Sequence, residues 1–425
     1  MTLHAPSRRE MLLASGTLFA WAHLPRLAYA EGRDPRFLAI ILRGALDGLA
    51  TVAPVGDPDW VALRGDNALT LGSKVPALKL NDFFALNPAM PNLLHMYQAN
   101  EAIIVHACAT PYRERSHFDG QDLLESGLPK VTPSDSGWLN RALSGLAPGG
   151  PVDPKGSGKG SRVFAVGPVT PLVARGPAPI LSWAPQQIMP ASDDTMARLL
   201  DLYQHRDAKL ASVLDDNSKL TAIEHAGDMA NGMANGMANG MANGAAKKPG
   251  AAQVRAYFSE AAGNAAKFLA QPDGPRVGAL ALDGWDTHVN EGIASGRLSQ
   301  LLGSLDDALG AIKTNMGPAW KDTVVVLATE FGRTAHINGT DGTDHGTATV
   351  ALLVGGALKG GRVIADWPGL KAANLYENRD LKPTTDLRAV IKGVLKDHLH
   401  ADDRVLAQSV FPGSDGVKPM AGLLA

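Results

Sequence analysis

Strand-length apolar runs alternate with helical stretches through the last third of the chain, and this limits the fold more than any other feature. Apolar runs cover Arg276 to Leu282, Thr323 to Ala328 and Thr349 to Val354, with a helical pattern over 294–314 between the first two. Pro383-Thr384-Thr385-Asp386 then caps a last helix that runs through about Leu399. Such alternation predicts an α/β fold, a mostly parallel central sheet flanked by helices. Upstream, Phe37 to Leu42 and Ala102 to Ala107 read as buried strands by length and composition, and Val163 to Val166 and Ile180 to Trp183 as further strands. Helical patterns cover Asn92 to Gln98, Ser116 to Glu125, Trp138 to Leu143 and Ala252 to Ala270, with a longer one from Ser192-Asp193-Asp194 to about His225.

A chain of 425 residues, 45% hydrophobic, can bury one large core or two ordinary ones. We expect a single domain over 31–425 with a helical insertion at about 190–270. Within it the tetrad Met-Ala-Asn-Gly occurs four times, from Met229 to Gly244. Gly and Asn in every turn oppose a helix, so the repeat reads as an expanded hairpin tip rather than a partner helix or a soft-metal stripe. Residues 147–162, rich in Gly, Pro, Ser and Lys, read as a surface loop. A net charge of −2 and 5% aromatics exclude a nucleic-acid surface. Cys108 is the single cysteine, so neither an intramolecular disulfide nor a thiolate metal cluster can form.

Residues 1–30 read as a targeting segment. Ser7-Arg8-Arg9-Glu10-Met11-Leu12 is a twin-arginine pattern, an apolar stretch follows, and Ala28-Tyr29-Ala30 is a cleavage site. No other run reaches membrane-spanning length. The mature protein is therefore expected in the periplasm or secreted through the twin-arginine pathway, with no membrane span.

Chemistry-bearing residues collect at strand ends, where open α/β sheets bind ligands. After the run ending at Leu282 come Asp283, Asp286 and His288; an extended backbone there puts Asp286 and His288 on one side, a pair able to hold a divalent cation, with Asp283 as the other carboxylate. Glu330 directly follows Val324 to Thr329. A carboxylate at the end of a buried strand must be paired or metal-bound, so Glu330 is a ligand or general base, or else the ion-pair partner of Arg333. Asp344-His345-Gly346 sits in a Gly-rich loop able to aim His345 inward. Asp47, after the first strand, is a metal carboxylate or a turn residue before Gly48. Ser116 is a helix N-cap or a nucleophile at a helix N-terminus, with Arg113 and Arg115 as anion-binding candidates. No G-x-S-x-G elbow, P-loop, G-x-G-x-x-G after a strand or H-E-x-x-H is present.

Several segments resemble the bacterial exported family catalogued as domain of unknown function 1501. They are Leu42 to Leu49, Arg115-Ser-His-Phe-Asp-Gly-Gln-Asp122, Gly284-Trp-Asp-Thr-His288, Thr329-Glu-Phe-Gly-Arg-Thr334, Gly342-Thr-Asp-His-Gly-Thr347 and Pro383 to Arg388. That family is in turn similar to the alkaline phosphatase and sulfatase superfamily, whose members cleave phosphate or sulfate esters with one or two divalent metals and a nucleophile. The resemblance implies an alkaline phosphatase-like core. Glu330-Phe331-Gly332 falls where the superfamily has Asp-His-Gly: Glu330 can replace the Asp, but Phe331 cannot replace the His. His345-Gly346 falls at the last metal histidine, and Asp286 and His288 at a pair belonging to the other metal, with compressed spacing. The sulfatase frame C-x-P-x-R reads Ala109-Thr-Pro-Tyr-Arg113, which disfavours formylglycine chemistry and leaves Thr110 and Ser116 as hydroxyl nucleophiles.

Two functional classes follow. One is an exported hydrolase of a small anionic phosphate or sulfate ester, with one divalent metal more readily than two. Asp286, His288 and His345 bind it, Asp344 and Asp47 are further carboxylates, Glu330 is a ligand or base, and Ser116 is the nucleophile. Arg113, Arg115 or Arg333 bind the anion. The other class is a non-catalytic binding or assembly protein for another exported partner.

Overall fold

Among the described residues, nine strands form one sheet: β1 (Arg36–Arg43), β2 (Ala102–Ala109), β3 (Val163–Val166), β4 (Ile180–Trp183), β5 (Val277–Asp283), β6 (Thr323–Ala328), β7 (Thr349–Val354), β8 (Arg362–Ile364) and β9 (Thr385–Asp386). The computed structural model describes residues 33–146, 162–184, 250–272 and 274–425, together with Val152 and Leu202. Pro35–Ala425 form one compact unit and Met1–Asp34 another, of which only Arg33 and Asp34 are described. The leader, the Met-Ala-Asn-Gly repeat, and most of the 147–162 loop and of the helix expected from Ser192 lie outside the described residues. No helix among the described residues is long and apolar enough to cross a membrane.

The strand order is β8-β2-β7-β6-β1-β5-β3-β4, with β9 also paired to β2. All pairings are parallel except those of β7, which runs antiparallel to both β2 and β6. The sheet is thus the mostly parallel one that the alternation predicts. β7 reverses because residues 329–348, which connect it to β6, contain no crossover helix, and a parallel return requires one.

The centre of the sheet is buried on both faces, as parallel sheets are. In β1, Leu38, Ile40 and Leu42 face one core, filled by residues of α1 (Pro91–Gln98), α4 (Ala251–Ala270) and α5 (Arg297–Met316). Phe37, Ala39 and Ile41 face the other, with residues of α3 (Trp138–Ser144) and α6 (Leu387–Leu399). The helix expected from 294 starts at Arg297, because Gly292 and Gly296 hold φ values of +65° and +130° that no helix contains. Asp386 caps α6 by accepting from the Arg388 N–H at 2.9 Å, as its sequence indicates. Strands β8 and β9, three and two residues long, are too short to leave a periodic signal.

This topology fixes where function can sit. The carboxyl ends of β1, β2, β5 and β6 and the start of the antiparallel β7 all meet at one rim of the sheet.

Candidate metal centre

Each arm of the site begins where a buried strand runs out. β1 is followed by Gly44, whose φ is +119° and whose Cβ, if present, would lie 2.6 Å from the Asp286 backbone nitrogen. Only glycine fits that approach. Its N–H donates to Glu330 Oε1 at 2.9 Å, joining the ends of β1 and β6. β2 leads through Thr110 to α2 (His117–Ser126), which starts with His117. The loop after β5 carries Asp286 and His288, and the loop before β7 carries Asp344 and His345.

The four arms converge on Asp286. Its Oδ1 lies 3.4 Å from His117 Nε2, 3.1 Å from His288 Nε2 and 3.4 Å from His345 Nε2. His288 Nε2 and His345 Nε2 are 2.9 Å apart. Arg333 holds the same carboxylate oxygen from behind through its Nη2. That guanidinium is wholly buried and also donates to the carbonyls of Gly44, Ala45, Trp285 and Thr343 at 2.8, 2.8, 3.2 and 3.2 Å.

The hydrogen bonds set the tautomers. His117 Nδ1 lies 2.7 Å from Glu330 Oε1, His345 Nδ1 lies 2.8 Å from the Arg115 carbonyl, and His288 Nδ1 lies 3.3 Å from Asp344 Oδ1. Carbonyls and carboxylates only accept, so each Nδ1 carries a proton, and in the neutral ring each Nε2 presents a lone pair. Three lone pairs and a carboxylate oxygen then face one another. His117 Nε2 is buried without a hydrogen-bond partner. A cation among these atoms relieves that conflict. Ligands at zinc-like distances of about 2.0–2.1 Å in a tetrahedron are about 3.3 Å apart, close to the separations found here. Of the described residues, His117, Asp286 and His345 form the group able to offer one ligand atom each within 4.8 Å of one another.

The electrostatics follow the geometry. Burial disfavours the charged Asp286, but the three imidazoles that face it, through whatever positive charge they carry, and the charge of Arg333 outweigh it and hold the carboxyl far below the ordinary range. For Glu330 burial likewise opposes ionisation, and the bonds from His117 and Gln121 bring it down to about 2. Burial lowers His345 below the usual imidazole value. For His117 burial lowers the value too, but the carboxylates of Asp286 and Glu330 beside it favour the charged ring and carry it above that range.

The remaining candidates from the sequence occupy distinct places. Glu330 is wholly buried and stands one step behind the lone pairs, orienting His117; Arg333 pairs with Asp286, not with Glu330. Asp47 lies outside the group. Its carboxylate accepts from the Ala50 N–H and is paired with Arg64 at 2.8 Å, both side chains buried. Ser116 precedes α2, but its hydroxyl does not cap the helix. Its N–H donates to the Tyr112 hydroxyl at 3.1 Å. Arg113 turns back onto the Thr110 and Tyr112 carbonyls. Arg115, at φ +59°, presents its carbonyl to His345, while its guanidinium is held by Asp380 at 2.8 Å and by Glu377.

His117 is the residue that sequence reasoning missed. It lies in the Arg115–Asp122 segment, one residue after Ser116, whose hydroxyl is the stronger local signal; an imidazole at a third strand end beside His288 and His345 is the signal that points to it. Phe331 packs on it, ring centroids 5.1 Å apart, and Gly120 makes room: a Cβ there would touch the Phe331 ring at 3.0 Å. Arg379 donates to the His345 carbonyl and is half exposed at the mouth of the site.

Comparisons with known proteins place the chain in a family without an assigned activity. None of the curated proteins matches it in sequence. Among solved structures, it is similar to a protein in the alkaline phosphatase superfamily from Vibrio parahaemolyticus, at 14% identity, covering 91% of this chain and 71% of that one, with a TM-score of 0.36. The PsFucS1 sulfatase from Pseudoalteromonas sp. is 13% identical over 99% of this chain and 76% of its own, with a TM-score of 0.40. The phosphonate monoester hydrolase of Agrobacterium radiobacter is 12% identical over 78% and 70%, with a TM-score of 0.31. Likeness at this level carries neither substrate nor mechanism to this chain. The family model described as "Protein of unknown function (DUF1501)" matches residues 34–410, nearly the whole described unit, and the chain belongs to that family.

Proposed function

We propose that the protein is an exported hydrolase of a small anionic phosphate or sulfate ester, working with one divalent metal ion held by His117, Asp286 and His345. The observation that carries this reading is the convergence of lone pairs: three imidazoles whose Nδ1 protons are fixed by oxygen acceptors, with Nε2 atoms turned on one carboxylate. The outer partners of metal-bound histidines do this work. A divalent ion held there supplies Lewis acidity and lowers the pKa of bound water. Phe331 packs its apolar ring against His117 and His345 and offers no donor for a second ion on that side, which favours one ion over two.

The chain's own groups then have separable tasks. Glu330 fixes the His117 tautomer, and Arg333 keeps Asp286 ionised and aimed at the rim. His288, its side chain 40% exposed, stands on the solvent side and is the fourth donor when no substrate fills that position. Arg379 donates to the His345 carbonyl and brings positive charge beside it, where an anionic ester would enter; the Arg115 guanidinium is taken up by Asp380 and Glu377. The twin-arginine leader over 1–30 supports export, and the single domain over 31–425 is the unit exported.

The test begins with metal content of protein purified from the periplasm, followed by a panel of phosphate and sulfate esters. Bound stoichiometric metal and turnover of at least one ester class, both lost in His345→Ala, are expected. Protein that carries no metal, binds none tightly and is unaffected by His345→Ala would leave the non-catalytic reading in its place.

A further inference from the structure

Behind the ligands, a carboxylate has no part in the reading above. Glu291 is wholly buried, and its Oε1 accepts from the Thr287 hydroxyl at 2.7 Å and its Oε2 from the Thr343 hydroxyl at 3.2 Å. Both threonines are also wholly buried. Thr287 lies between Asp286 and His288; Thr343 immediately precedes Asp344 and His345. One side chain thus grips both ligand-bearing loops at the residue beside the ligands.

The backbone runs the same way. Thr343 N–H donates to the Thr287 carbonyl at 3.2 Å, Glu291 N–H to Asp341 at 2.8 Å and Asn290 N–H to Thr340 at 2.9 Å. Asn338 Nδ2 donates to the His288 carbonyl at 2.9 Å. Gly342 lets the loops close, since a Cβ there would lie 2.1 Å from the His288 carbonyl oxygen. A buried carboxylate is costly to desolvate, and an apolar side chain of similar size would avoid that cost. What an apolar residue cannot do is accept two hydroxyls at a fixed separation.

We infer that Glu291 is a positioning residue that sets the distance between the Asp286–His288 loop and the Asp344–His345 loop, and so the shape of the metal shell. The inference rests on the metal reading given above for its effect on the ion, but not for its effect on the loops.

The experiment uses the full chain, stripped of metal and titrated with Co2+, as wild type, Glu291→Ala, Glu291→Gln and Thr343→Val. Glu291→Ala is expected to weaken Co2+ binding about 10–100-fold, the range for outer partners of metal ligands, and to alter the visible absorption bands that report coordination. Glu291→Gln, which accepts one hydroxyl and donates to the other, should restore most of the affinity and the bands. In metal-free protein, amide hydrogen exchange over 285–291 and 338–345 should quicken about tenfold or more in Glu291→Ala. A folded Glu291→Ala protein with wild-type affinity, bands and exchange overturns the inference. If that variant does not fold, Thr343→Val decides: a several-fold loss with the same spectral change supports the clip, and no change overturns it. Wild-type protein that fails to bind Co2+ overturns the metal reading instead, and the exchange data then judge Glu291 alone.

Discussion

Asp47 and Asp286 look alike on the sequence and differ in the fold. Each follows a parallel strand of the same rim, each is a short step past a glycine, and each meets an arginine whose side chain is wholly buried. Asp47 binds Arg64 through both oxygens, at 2.8 and 3.2 Å, and also caps a short helix, so it is saturated. Asp286 takes Arg333 on the same oxygen that three imidazoles face. The arginines differ in the same way. Arg333 has four backbone carbonyls besides its carboxylate, whereas Arg64 has Asp47 and the Thr334 carbonyl at 3.3 Å. A buried ion pair is therefore an end in itself at one place and a mount for something else at the other, and the neighbours of the carboxylate decide which.

The contrast can be broken by mutation, and the largest effect belongs to Asp47. Asp47→Ala leaves Arg64 buried and uncompensated and should cost about 3–5 kcal/mol in chemical denaturation, with metal affinity in the surviving folded protein unchanged. Asp286→Ala should do the reverse. Binding measured by calorimetry should weaken by more than about 100-fold, beyond the range for outer partners, while the carbonyl bonds of Arg333 keep the stability loss below that of Asp47→Ala.

Acid sharpens the same division. His106 is buried, donates to the Val52 carbonyl at 2.9 Å, accepts from the Ala107 N–H and stacks on Phe84; burial pushes it down to about 4. Because the folded value lies below the ordinary 6.5, the unfolded chain binds the proton first as pH falls. The ring's stabilising share is complete above pH 6.5 and shrinks down to about pH 4, a loss of about 3 kcal/mol that a pH series of denaturation midpoints would record. The rim imidazoles should instead release metal as pH falls through the imidazole range, about 6.5, since protons compete for Nε2. Stability that falls with metal release alone, with no further drop in metal-free protein, would dissolve the distinction.

Smaller effects test the second ring of contacts. Glu330→Gln should weaken metal binding about 10–100-fold by loosening the His117 tautomer. Ser116→Ala should leave metal affinity within about twofold, as expected for a side chain away from the ligands; ester turnover in that variant reports separately on its role as a nucleophile.

Much of the sheet was legible because central parallel strands are long and apolar: β1, β2, β5, β6 and β7 each announce themselves. The reversal of β7 was not, since strand direction is set by what connects β6 to β7, not by either strand's composition. At the rim, Asp286, His288 and His345 could be placed near one another because carboxylates and imidazoles at strand ends have few structural uses. Asp47 shared that signature, and its partner Arg64 lies in a segment with no motif. His117 is hidden because the serine one residue earlier, at a helix start, carries the stronger local signal. The clip by Glu291 depends on two threonine hydroxyls 56 positions apart, a relation that no local pattern carries.

The excursion between β6 and β7 leaves and re-enters the sheet at one rim, and Glu330, Phe331, Arg333, Asp344 and His345 all ride on it. Neighbouring antiparallel strands can also be joined by a tight two-residue turn. One deletion in a gene could therefore remove all five side chains while sparing every strand pairing, so the length of this connection in any newly sequenced cousin is a quick genomic indicator of whether the proposed metal site survives there.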